Sequence, residues 1–153
     1  MKHQIIESFH VIGISRRTTN MNGQSAKDIE ALWVKFWTEK IQDQIPNQKS
    51  SDFYAVYTDY ESDHTGYYTT IIGSAVAHLD EIPEGFVGVT IPRTTYKKII
   101  SKGKMPEAIG KTWMEIWQDT TIKRTYKADF TVHGEKYFHG EEAEVETFLS
   151  VEE

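Results

Sequence analysis

A chain of 153 residues with 17 basic and 23 acidic side chains has the length of one domain, and its net charge of -6 repels phosphate backbones. No window reaches the run of about 18 apolar residues that a spanning helix needs, and the N-terminus lacks the apolar stretch of a secretory signal. Cysteine is absent, which excludes disulfides, thiol nucleophiles and thiolate metal sites and suits a cytoplasmic protein.

Phe9 to Ser15 alternates as a strand, and polar Arg16 to Asn20 follows it. Gly23-Gln24-Ser25 then opens a helix, with Ser25 as its N-cap and Asp28 three residues on. Ile29, Trp33, Phe36, Trp37 and Ile41 recur at helical spacing, and Pro46 closes the segment. Trp33 and Trp37 are expected to be buried between this helix and a sheet. Phe53 to Thr58 reads as a strand, Ser62 to Gly66 as a turn, and Tyr67 to Ala77 as a longer strand, together a hairpin. His78 to Gly85 is a connector.

The pattern then starts again. Phe86 to Pro92 echoes Phe9 to Ser15, and after a Lys-rich stretch Pro106 suits the first turn of a second helix. Ile109, Trp113, Ile116 and Trp117 give that helix its apolar face. Tyr126 to Val132 is a strand, His133 to Gly140 a turn region, and Glu144 to Val151 a last strand. The order is strand–helix–strand–strand, twice, at an offset of roughly 75 residues. The expected fold is therefore α+β, with halves over residues 5–78 and 84–153 of one domain spanning 1–153. It is an antiparallel sheet with two helices, pseudo-twofold symmetry and a cleft where the halves meet.

Chemistry-bearing motifs are few. The six His residues make no paired ligand spacing, and neither a phosphate-cradling glycine loop nor a nucleophile elbow is present. The reading expects no metal, no cofactor and no catalytic set. Aromatic residues are the excess: they make up 12% of the chain, and surplus rings line binding cavities because they join apolar area to polar tips. In Tyr54 to Tyr60, strand alternation puts Tyr57 opposite Tyr54 and Tyr60, so rings face both sides. On the last strand Glu144, Glu146 and Phe148 share one face, and Val145, Thr147 and Leu149 share the other. A carboxylate beside a ring suits an organic cation. The expected ligand-binding residues are Tyr57, Tyr68, Trp113, Trp117, Asp129, Glu146 and Phe148, with Glu146 the first candidate for the pocket carboxylate and Asp129 the second.

Tyr57 to Tyr68, continuing through Ile71-Ile72-Gly73, resembles the GyrI-like effector-binding domains, closest to their integron-cassette branch of stand-alone proteins. Ile82-Pro83-Glu84-Gly85-Phe86, Ile91-Pro92 with Tyr96, Trp113-Met114-Glu115-Ile116-Trp117 and Ala128-Asp129-Phe130 extend the similarity along nearly the whole chain. The resemblance implies paired strand–helix–strand–strand units whose groove takes small, often cationic and aromatic, ligands. In regulators of this kind the domain is joined to a DNA-binding helix-turn-helix. With eight residues before Phe9, the expectation here is a free-standing binder of small molecules, or one that acts through a protein partner. Two other readings follow from the same resemblance: a hydrolase of strained electrophiles, and an acidic module contacting a regulator or DNA gyrase. Many relatives carry a glutamate directly after the aspartate–phenylalanine pair. This sequence has Thr131 there, so the role that the resemblance gives that glutamate passes to another carboxylate or is lost.

Overall fold

The computed structural model describes residues 3–62, 66–105, 107–119 and 121–152. Most of the expected Ser62–Gly66 turn, and Pro106 as a helix start, lie outside the described residues. In chain order the strands are β1 (His3–Ile6), β2 (Phe9–Thr19), β3 (Phe53–Thr58), β4 (Tyr67–Val76), β5 (Val87–Ile91), β6 (Thr94–Lys102), β7 (Ala128–His133) and β8 (Glu144–Ser150). Helix α1 (Gln24–Thr38) follows β2, and α2 (Glu107–Gln118) follows β6.

All eight strands join one antiparallel sheet in the order β1-β6-β8-β7-β3-β4-β2-β5. That order reads the same from either end once the halves are exchanged. β3 and β7 meet at the centre, flanked by β4 and β8, then β2 and β6, then the edge strands β5 and β1. Each half is thus strand–strand–helix–strand–strand, and its first strand crosses to the far edge of the other half's sheet.

This corrects the expected internal alignment. The counterpart of Phe9–Ser15 is β6, and Phe86–Pro92 corresponds instead to β1. One feature hid β6. Its lysines resemble a solvated loop, yet Lys97 and Lys98 lie half-buried along the sheet and Tyr96 between its ends is fully buried. Long lysine stems can cover a strand while their amines reach water.

Short links force the sheet to curl. β1 and β2 lie toward opposite ends of the sheet but are joined by Glu7-Ser8, and β5 and β6 are likewise joined by Pro92-Arg93. Arg93 ties the two links together, its Nε 2.8 Å from Glu7 Oε2. The inside of the curl is packed by Val11, Val56, Ile71, Ile91, Tyr96, Phe130 and Phe148, drawn from both ends of the sheet. On the outer face Leu32 and Phe36 of α1 pack on Ile12, Ile14, Phe53 and Ile72, and Ile116 of α2 packs with Leu149 and Val151.

The first helix departs from expectation at both ends. Gly23, with φ of 71°, is its N-cap, and Ser25 lies buried within the first turn. The helix stops at Thr38, and Ile41–Gln44 continues as a 3-10 turn. Its side facing the sheet is carried by Leu32 and Phe36. Trp33 is half-buried and Trp37 is 43% exposed, so the expected burial of the Trp pair is corrected. A stripe of five large residues is wider than one sheet contact, and the Trp side of it turns away from β2 and β4.

Candidate functional site

Between α1 and α2, over the outer face of β3, β4 and β7, lies a cavity of about 610 Å³. All four tryptophans of the chain line it: Trp33 and Trp37 from α1, Trp113 and Trp117 from α2. Their i, i+4 spacing puts each pair on one side of its helix. The rings of Trp33 and Trp37 are near parallel, with centroids 6.2 Å apart. Trp113 stands edge-on to Tyr57, with ring centroids 5.1 Å apart.

The floor is a tyrosine cluster. Tyr57 and Tyr68 are buried, and Tyr60 packs on Tyr68 at 5.6 Å. Strict strand alternation would have put Tyr60 on the opposite side from Tyr57. The strand ends at Thr58, however, and Asp59 takes φ of 51°, which turns Tyr60 back under the cavity. Aspartate tolerates that left-handed geometry better than most residues. The Arg17 guanidinium donates to the Asp59 carbonyl and helps hold the bend. Burial raises the pKa of Tyr57, Tyr60 and Tyr68 above the usual phenol value, so all three stay protonated. The Tyr68 hydroxyl donates to Asn20 Oδ1 at 2.6 Å.

Beneath the tyrosines lies a buried ion pair. Asp129 is fully buried, and its Oδ2 accepts from Arg124 Nη2 at 2.6 Å and from the Tyr60 hydroxyl at 2.5 Å. Its Oδ1 accepts the backbone N–H of Ser150 at 2.8 Å and the Ser150 hydroxyl at 3.2 Å. Arg124 itself lines the cavity. Its segment is pinned to the end of β8 by a bridge to Val151 and by the Thr125 N–H donating to the Ser150 carbonyl. Burial works against its charge, but Asp129 and Tyr60 more than offset that, and its pKa lies above the ordinary value. The Tyr126 ring covers the guanidinium at 4.4 Å, and Tyr126 holds φ of 55°. That conformation costs a bulky aromatic residue on the order of ~1–3 kcal/mol and tends to persist where a site uses it.

His133 closes one end of the cavity. Its Nε2 lies 2.8 Å from Thr131 Oγ1, and its ring stacks on Phe53 and touches Trp33 and Tyr137. Burial lowers its pKa to about 3, so it is neutral at ordinary pH. The unfolded chain titrates near 6.5, so between pH 6.5 and about 3 the unfolded state binds a proton that the folded state refuses. Stability from this group is complete above 6.5 and falls with pH by up to ~1.4 kcal/mol per unit. Denaturation midpoints measured across pH should therefore drop less steeply on acidification in His133→Leu than in the wild type. Equal slopes would contradict a neutral buried His133.

Of the residues expected at the site, Tyr57, Tyr68, Trp113 and Trp117 line the cavity. Asp129 lies behind Arg124 and is fully covered. Glu146 and Phe148 are placed elsewhere. β8 turns them to the inside of the curl, where Phe148 stacks on Phe130 at 4.8 Å and Glu146 pairs with Lys98 at 2.6 Å. The alternation along β8 was read correctly, but the helices cover its other face, that of Thr147 and Leu149. Sequence reasoning missed Arg124, Tyr60, His133 and Tyr137. The one available signal was Arg124 two residues before Tyr126, a cation just ahead of the first ring of an expected strand, and that strand in fact begins at Ala128.

The sheet of two swapped halves carries paired helices around an aromatic cavity, and the family whose model the chain matches is one of effector-binding proteins. The chain belongs to the Cass2 family of integron-associated effector binding proteins, whose model matches residues 5–151. It is 27% identical over 143 residues to the Bacillus subtilis (strain 168) protein YobU, which carries the name of a proposed transcriptional regulator; the match covers 91% of this chain and 89% of that one. Among solved structures it is similar to an integron cassette protein from the mobile metagenome of Vibrio cholerae, with 28% identity, TM-score 0.76 and coverage of 99% of this chain and 95% of that one. The protein SAV2435, solved bound to tetraphenylphosphonium, shares the fold at 16% identity, with TM-score 0.81 and coverage of 99% and 93%. Among the described residues, no helix is long and apolar enough to cross a membrane.

Proposed function

We propose that the protein binds a bulky, multi-ring amphipathic molecule in the cavity between α1 and α2, as a single effector-binding unit over residues 1–153. The observation that carries this reading is the gathering of every tryptophan of the chain around one cavity of about 610 Å³. Ligand sites of roughly 300–1,000 Å³ hold drug-sized molecules, and their walls are mostly aromatic and apolar. The tetraphenylphosphonium bound by SAV2435 is a multi-ring ligand of this kind. Ring faces can also accept an organic cation. The carboxylates first expected to serve a cation are committed elsewhere, Asp129 to Arg124 and Glu146 to Lys98, so the support is for an aromatic body rather than for its charge.

Tryptophan fluorescence tests the reading directly, since each emitter lines the site. Titration with multi-ring dyes of either charge should give saturable quenching with at least one of them. Trp113→Ala should weaken that dye about tenfold, in the range of a lost aromatic anchor. Emission unchanged by every dye at high micromolar concentration would contradict the proposal.

A further inference from the structure

Of the ten glycines in the chain, four take a positive φ, and at five more an added Cβ would stand 3.1 Å or closer to a neighbouring atom. Turn geometry and close packing account for those. Gly110 is the remaining one. It lies within α2, its φ is not positive, and a Cβ there would meet nothing within 4 Å. Glycine in a helix costs stability relative to alanine, because its backbone has more freedom to lose on folding. No contact among the described residues offsets that cost at Gly110.

Its surroundings point to the cavity. Gly110 is an exposed part of the lining, so a ligand can reach it. Trp113 and Trp117 follow it at the i+3 and i+7 spacing of one helix face, and both line the cavity too. The two helices of the site match residue for residue: Trp113 and Trp117 of α2 stand for Trp33 and Trp37 of α1, and Ile109 stands for Ile29. In that match Gly110 stands where α1 has Glu30, and both positions line the cavity. The α1 wall thus carries a long side chain at the point where the α2 wall carries none. A bare stretch of helix lets a flat group approach the backbone closely, and a side chain would hold it off.

We infer that Gly110 sets the bulk of the ligand at the α2 wall: one ring of a multi-ring molecule lies against the helix backbone there, beside Trp113. This assignment rests on the ligand-binding reading of the same cavity and deepens it, making Gly110 a determinant of ligand size rather than of charge. A side chain at this position takes the volume of that ring and leaves room for a slimmer ligand among the other walls.

Two phosphonium ions of equal charge isolate bulk: tetraphenylphosphonium, with four rings, and dimethyldiphenylphosphonium, with two. Each is titrated by tryptophan fluorescence into the wild type, Gly110→Ala and Gly110→Leu. The leucine variant should bind the four-ring ion about tenfold more weakly or worse, the scale of overfilling a packed site, and the alanine variant should lose less. The two-ring ion should change by less than about twofold in both, since the volume it uses is untouched. Alanine and leucine both favour a helix over glycine, so neither variant should melt below the wild type. Should the leucine variant melt lower, Gly110→Ala decides, with a loss confined to the four-ring ion expected. Unchanged binding of the four-ring ion overturns the inference, and so does an equal loss of both ions, which a merely stiffened helix would give. In either case Trp113→Ala still reports whether the cavity is the ligand site. If tetraphenylphosphonium does not bind the wild type, the inference falls, and the cavity reading falls with it only if every multi-ring dye fails as well.

Discussion

Asp129→Ala is expected to lower the free energy of unfolding by about 3–5 kcal/mol, the cost of breaking a buried ion pair from one side. The carboxylate is fully buried and Arg124 is 5% exposed, so solvent cannot take over for the missing partner. The substitution also orphans the Tyr60 hydroxyl and the Ser150 N–H, each of which donates to Asp129. Asp129→Asn keeps an oxygen for one of these donors and should lose less. Urea denaturation of the three proteins measures the effect. A loss below about 1 kcal/mol in the alanine variant, the range of an exposed pair, would mean that Arg124 finds water when its partner goes.

The second large effect concerns backbone approach. Gly13 and Gly73 are direct partners across β2 and β4. A Cβ built on Gly13 would stand 2.1 Å from the Ile72 carbonyl oxygen, and one on Gly73 would stand 2.0 Å from the Ile12 carbonyl oxygen. The obstacle in each case is main chain, which cannot rotate away as a side chain can. Either alanine variant should therefore lose about 3 kcal/mol or more, or fail to accumulate folded, the size of effect seen when a fixed backbone site is overfilled. Gly110 of α2 is the internal control, because a Cβ there meets nothing within 4 Å. Gly110→Ala should gain up to about 1 kcal/mol from helix propensity alone. Wild-type stability in Gly13→Ala and Gly73→Ala would show that β2 and β4 part without cost.

The elements with strong periodicity were legible from sequence. The two Trp-bearing helices, the β3–β4 hairpin and β8 all announce themselves through spacing or alternation, and duplication of the pattern gave the α+β fold. What stayed hidden was hidden for physical reasons. β1 is a four-residue edge strand, too short to alternate visibly, and its pairing with β6 arises only from exchange between the halves. β6 was masked by lysines whose stems do apolar work. The face of a strand can be read from its alternation, but which face the helices cover cannot, and so Glu146 and Phe148 were assigned to the cavity. Tyr60 shows the reverse failure: parity along β3 is sound up to Thr58, and one left-handed residue then undoes it. Arg124 lies between elements, where sequence periodicity says nothing.

The most direct test of the aromatic cavity as the ligand site is heteronuclear NMR of the four indole N–H groups during titration with the tightest-binding multi-ring dye. Because Trp33, Trp37, Trp113 and Trp117 all line one space, their four signals should shift together and report a single dissociation constant. The methyls of Val56 and Ile71, inside the curl on the far side of the sheet, should stay in place. Still indoles alongside shifting Val56 and Ile71 methyls would put the ligand inside the curl and contradict the account.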